Sequence, residues 1–222
     1  MTAMYYKEWI KTRWYLLLAF LTLMGFTGYS LLRFHRALGM KGAAHLWEVM
    51  LTRDAIFVDL LTYIPVLLGI ILAIVQFMPE MHRKCLKLTL HLPCSHQRML
   101  YEMLSFGVVS LLVLFTVSYL TIFVFLSNYL APELYHHVLL TTLPWYLSGV
   151  AAYLLLSWIC LEPTWKMRVF NLIVTLLLLR IFFLSSTPEA YNCFLPGLVV
   201  LTLLTGCFSV LSVQRFKEGK QD

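Results

Sequence analysis

The sequence predicts an all-α membrane protein, and three observations lead there. Of its 222 residues, 60% are hydrophobic and only 13% charged. The mean hydropathy is +0.79, more apolar surface than a soluble core of this size hides. Spanning the hydrocarbon layer as a helix takes roughly 20 mostly apolar residues. Six runs qualify, at residues 14–32, 56–77, 103–127, 138–161, 169–185 and 191–213. Helices are expected because lipid offers a bare backbone no hydrogen bonds, and these runs lack the alternation of a barrel strand. Short loops leave no room for a soluble domain, so residues 1–222 form one transmembrane domain.

Ahead of the first span, residues 4–13 place Tyr6, Trp9, Ile10 and Trp14 on one helical face and Lys7, Glu8, Lys11 and Thr12 on the other. This pattern has two readings, an interfacial elbow helix lying along the inner leaflet or an aromatic and cationic belt that anchors the span. Residues 33–55 are long for a turn. Leu46, Trp47, Met50 and Leu51 recur at helical spacing there, which predicts a second surface-lying helix on the opposite side.

Orientation follows the lysines and arginines, because cationic loops stay in the cytoplasm. With the amino terminus inside, the inner segments hold Lys7, Lys11, Arg13, Arg83, Lys84, Lys87, Arg98, Lys166, Arg168, Arg215, Lys217 and Lys220. Both termini are therefore expected in the cytoplasm, in a bacterial-type plasma membrane. The net charge of +6 then reads as topology and attraction to anionic lipid, with no nucleic acid as partner. No cleavage site follows the first apolar run, so that run is expected to remain as a span. The five cysteines are scattered over different depths and read as free thiols or small apolar fillers, and no pair has metal-ligand spacing.

The most telling stretch lies between the second and third spans, MHRKCLKLTLHLPCSHQRMLYE at residues 81–102. Leu86, Leu88, Leu90 and Leu92 alternate with Lys87, Thr89 and His91, the period of a strand. A lone strand beside the membrane has no ladder partner, whereas a short helix satisfies its own backbone. Pro93 stops that helix. Ser95 caps the next, which runs through Gln97 and Arg98 into the third span. The competing reading is a basic loop that only fixes topology.

These features together resemble the membrane subunit of an ABC type-2 transporter: an amino-terminal elbow with Lys7 and Glu8, six spans, and Glu80, Arg83, the leucine run, Pro93 and Ser95 between spans two and three. The Gly-Thr that precedes the leucines in that family is absent. The connection at residues 186–190 is also too short for the re-entrant outer helices of the larger members. The resemblance implies that Lys7, Glu8, Trp9 and Lys11 belong to the elbow. It implies a coupling helix in which Arg83, Lys84, Leu86, Lys87, Leu88, Leu90, His91 and Leu92 meet a separate ATPase subunit. It further implies a homodimer, with ATP and Mg bound by that partner, no cofactor in this chain, and export of a substrate the sequence does not identify. No phosphate-cradling Gly-x-x-x-x-Gly-Lys-Ser/Thr occurs among the ten glycines, so ATP hydrolysis is expected elsewhere. The reading from another class is a non-transporting anchor or assembly factor that holds a soluble partner on the same hairpin.

Arg180 is expected well inside the fifth span, where a charge costs about 2.5 to 3.5 kcal/mol on insertion scales. Asp59, one turn into the second span, is its candidate partner in an intramembrane ion pair, unless Arg180 snorkels outward past Ser185. The alternative is a cavity charge that meets an anionic substrate group. Pro65, Pro144 and Pro196 are candidate kinks, and Gly69, Gly149, Ala151 and Ala152 candidate sites of close helix packing. The histidines, among them His136 and His137 on the outer side, lie in loops or at their edges.

Overall fold

The computed structural model describes residues 2–53, 58–82, 96–185, 187 and 190–217. Within these the chain is helical, with no strand. The order is α1 (Thr2–Arg53), a short 3-10 turn (Asp59–Leu61), α2 (Ile64–His82), α3 (His96–Ser127), α4 (Pro132–Leu161), α5 (Trp165–Ile181) and α6 (Leu195–Lys217). Among the described residues five helical stretches are long and apolar enough to cross a membrane, Met4–Met40, Asp59–Met81, Gln97–Ser127, Pro132–Leu161 and Leu195–Val213. This is the architecture of a multi-pass membrane protein. The expected fifth span is α5, whose 17 residues rise roughly 25 Å, the short end of what crosses a bilayer.

The bundle is organised around α4. Its apolar window is 72% buried, against 44% or less in the other spanning helices, and it packs on α2, α3, α5 and α6. Its closest neighbour is α2. A Cβ on Gly69 would lie 2.1 Å from the carbonyl oxygen of Gly149, and one on Gly149 would lie 2.7 Å from that of Pro65. The glycines bring the two backbones together, as the sequence predicts for small residues in helix-helix contacts.

Many polar side chains inside the bundle bond their own helix or bridge helices, since lipid offers no alternative. Thr12 donates to the carbonyl of Glu8 and Thr27 to that of Leu23. Thr27 also meets Ser118 at 2.9 Å, and Ser118 meets the Tyr146 hydroxyl at 2.9 Å, which ties α1, α3 and α4 together. Ser157 and Ser209 join α4 to α6 at 3.0 Å.

Several expected boundaries move. The elbow is not a separate element: α1 continues unbroken through residues 4–32, its one non-helical residue being Gly42 (φ 77, ψ 160). A glycine there permits a left-handed turn that side chains resist, and the helix resumes beyond it to Arg53, as the spacing within 33–55 predicted. The second helix starts eight residues later than expected and ends five later, at His82. Pro65 and Pro196 fall at the second positions of α2 and α6, where a missing N–H costs nothing. Pro144 and Pro79 are the prolines inside helices. His136 and His137 lie in the early turns of α4, not in a loop. At the far end of α5, the Tyr191 hydroxyl donates to the Ile181 carbonyl at 3.0 Å and accepts from the amides of Leu184 and Ser185. That one phenol closes the tight connection between α5 and α6.

Candidate functional site

The polar groups concentrate where the start of α1, the end of α2 and the start of α3 meet α4. The helical stripe of Lys7, Glu8, Lys11 and Thr12 turns inward. Glu8 and Thr12 are fully buried, while Tyr6, Trp9, Ile10 and Trp14 face outward. The stripe therefore faces a neighbouring helix and not solvent. Its partner is α2. Glu80 Oε1 stands 2.9 Å from Lys7 Nζ and 3.0 Å from Lys11 Nζ, and Lys11 Nζ is also 3.3 Å from Glu8 Oε2. Two buried carboxylates and two ammonium groups thus balance in charge. Glu8 Oε1 and Glu80 Oε2 have no hydrogen-bond partner among the described residues.

Four residues before Glu80, Gln76 carries the network inward. Its amide donates to the Met103 carbonyl of α3 at 2.8 Å, and its carbonyl oxygen accepts from the Tyr153 hydroxyl of α4 at 2.7 Å. Both side chains are fully buried, so each bond replaces water that is not there, and losing one partner strands the other. The Tyr153 ring needs Gly107 beside it, because a Cβ there would sit 2.1 Å from the phenol oxygen. Tyr5 adds a bond from α1 to α3 through Ser105 at 2.6 Å.

A second polar group closes the same end on the other side of α4. Glu162, fully buried, follows the last residue of that helix. Its carboxylate accepts from Ser212 of α6 and from Thr164 at 3.3 Å, and lies 3.6 Å from Arg215 Nη1. Arg168 of α5 donates to its backbone carbonyl at 2.7 Å. The start of α1, the ends of α2, α4 and α6 and the start of α3 are all held at one end. Such networks act as joints. Removing one member of a buried ion pair costs about 3 to 5 kcal/mol, because it leaves a charge stranded.

The residues singled out from sequence divide into three groups. Lys7, Glu8 and Lys11 come together as described, and Trp9 lies on the outward face. The coupling residues Arg83, Lys84, Leu86, Lys87, Leu88, Leu90, His91 and Leu92 lie outside the described residues, between the end of α2 and the start of α3. Asp59 and Arg180 form no ion pair. Asp59 sits in the 3-10 turn ahead of α2, where Arg33 of α1 is the cation acting on it. Arg180 occupies the last turn of α5 and is exposed, one residue from the helix end rather than well inside it. A cation there is favoured by the helix dipole.

Sequence reasoning missed Glu80 as a buried ligand for the lysines, together with Gln76, Tyr153 and Glu162. The spacing held a signal: Gln76 and Glu80, like Lys7 and Lys11, lie four residues apart, which stacks each pair on one helical stripe. No family model, no curated protein and no solved structure matches this chain.

Proposed function

We propose that this chain is the transmembrane subunit of an ATP-binding-cassette transporter, an exporter that works as a homodimer with two copies of a separate ATPase subunit. ATP and Mg belong to that partner, and this chain contributes the translocation path. Its setting is a bacterial-type plasma membrane with both termini in the cytoplasm. The ATPase subunit docks on the basic segment around Arg83, Lys84 and Lys87.

The observation that supports this reading is how the helices on either side of that segment are tied into the bundle. Glu80, three residues before Arg83, is paired with Lys7 and Lys11 of α1. Gln76 is bonded to the α3 backbone and to Tyr153 of α4. A push on residues 83–95 therefore moves four helices as one body, the mechanical property that ATP-driven alternating access requires.

The test is co-purification of the ATPase subunit with the chain carrying Arg83→Glu, Lys84→Glu and Lys87→Glu. At least a tenfold loss of complex is expected, and an unchanged yield would refute the docking site. Hydrolysis by the reconstituted wild-type complex should rise with transported substrate. Intact binding with flat hydrolysis would instead place the chain among non-transporting anchors.

A further inference from the structure

The cations at the start of α1 are sorted by face. Lys7 and Lys11 turn toward α2 and are neutralised by Glu80 and Glu8. Arg13 lies on the outward side, with no carboxylate partner among the described residues, its guanidinium 5.8 Å from the centre of the Trp14 ring. It lines a groove of about 680 Å³ between α1 and α3, whose buried floor is Leu16, Phe106 and Leu114 and whose walls include Leu17, Phe20 and Val113. That volume falls within the roughly 300 to 1,000 Å³ of small-molecule sites. Trp9 and Trp14 line the groove beside Arg13, and exposed tryptophans are enriched at the headgroup level of membranes. Phe20 lies seven residues beyond Arg13, roughly 10 Å further along the helix. The groove thus offers a cation at the interface and an apolar channel running toward the bilayer centre.

We propose that the α1–α3 groove is a binding site for an anionic glycerophospholipid, with Arg13 meeting the headgroup phosphate and an acyl chain lying against Leu17, Phe20 and Val113. Charge complementarity selects this occupant. Stacking on Trp14 leaves the guanidinium edge free for a phosphate, a group Arg binds with paired N–H donors. The site holds whether or not the chain is a transporter subunit.

The test uses the purified full chain in vesicles of phosphatidylcholine carrying a fraction of dibrominated phosphatidylglycerol or, as control, dibrominated phosphatidylcholine. Bromine quenches tryptophan on contact. Quenching by the anionic lipid is expected to exceed that by the zwitterionic one at least twofold, and Arg13→Gln should bring the two level. The difference should also disappear in the Trp9→Phe, Trp14→Phe double variant. Equal quenching by both lipids in the wild type, or a difference that survives Arg13→Gln, would overturn the proposal. A photoreactive benzophenone side chain at Val113 supplies the second measurement. Crosslinks to phospholipid support the site, and crosslinks to a second copy of the chain refute it.

Discussion

Gly69 and Gly149 meet backbone to backbone across α2 and α4, so close that a Cβ on the first would lie 2.1 Å from the carbonyl oxygen of the second. The obstruction would be backbone, which cannot rotate away like a side chain. Gly69→Ala must therefore push the helices apart, with a cost of about 1 to 3 kcal/mol typical of overpacked cores. A lowered unfolding midpoint in detergent is the expected result. Gly25, with nothing within 4 Å of its added Cβ, serves as the control, and Gly25→Ala should leave the midpoint unchanged or raise it slightly, since alanine favours a helix interior.

The Glu80 cluster should show the asymmetry of buried ion pairs. Glu80→Leu alone leaves Lys11 without its main counter-charge, and about 3 to 5 kcal/mol of stability should go. Replacing Lys11 by Met and Glu8 by Leu in the same chain leaves no fully buried charge unpaired, since Lys7 is partly exposed, and should recover most of that loss. Chemical unfolding of the single and triple variants in one detergent checks both. A triple variant no more stable than the single would mean that the cluster matters through its shape and not its charge.

Asp59 and Arg180 should prove independent. With Asp59 in the turn ahead of α2 and Arg180 in the exposed last turn of α5, a double-mutant cycle of Asp59→Asn and Arg180→Leu should give a coupling energy within about 0.5 kcal/mol of zero. Arg180→Leu alone should cost less than about 1 kcal/mol, the order of a helix-dipole contribution. A coupling above 1 kcal/mol would restore the ion pair. If activity falls while abundance holds, Arg180 acts on substrate.

Much of the fold was legible because the bilayer imposes it. Uninterrupted apolar runs can only be helices, so the spans and the passage from Gln97 into α3 follow from composition and length. Glycine packing at Gly69 and Gly149 was legible for a similar reason, since small residues in an apolar run invite a neighbour. The start of α1 was harder. Its two-faced pattern suits either a helix lying at the interface or a span whose polar face turns inward, and spacing alone does not show that this face meets Glu80, 69 residues beyond Lys11. Glu80 itself read as part of the polar segment after the second span because apolar content drops at Pro79, yet α2 continues for three residues past that proline. Arg180 was misplaced in depth for a related reason. Leu, Ile and Phe continue on both sides of it, and periodicity does not say where backbone hydrogen bonding ends.

The length of α1 sets it apart from its neighbours. The helical stretch Met4–Met40, which holds its apolar span, contains 37 residues and so extends roughly 55 Å. Even leaning at about 40°, the steep end of the range for such helices, it would cover roughly 42 Å of depth where the hydrocarbon is about 30 Å thick. The excess stands clear of the oil as a rigid mast, and the Gly42 bend comes only near its tip. The length therefore leaves a headgroup-level segment at one end of α1 or at both.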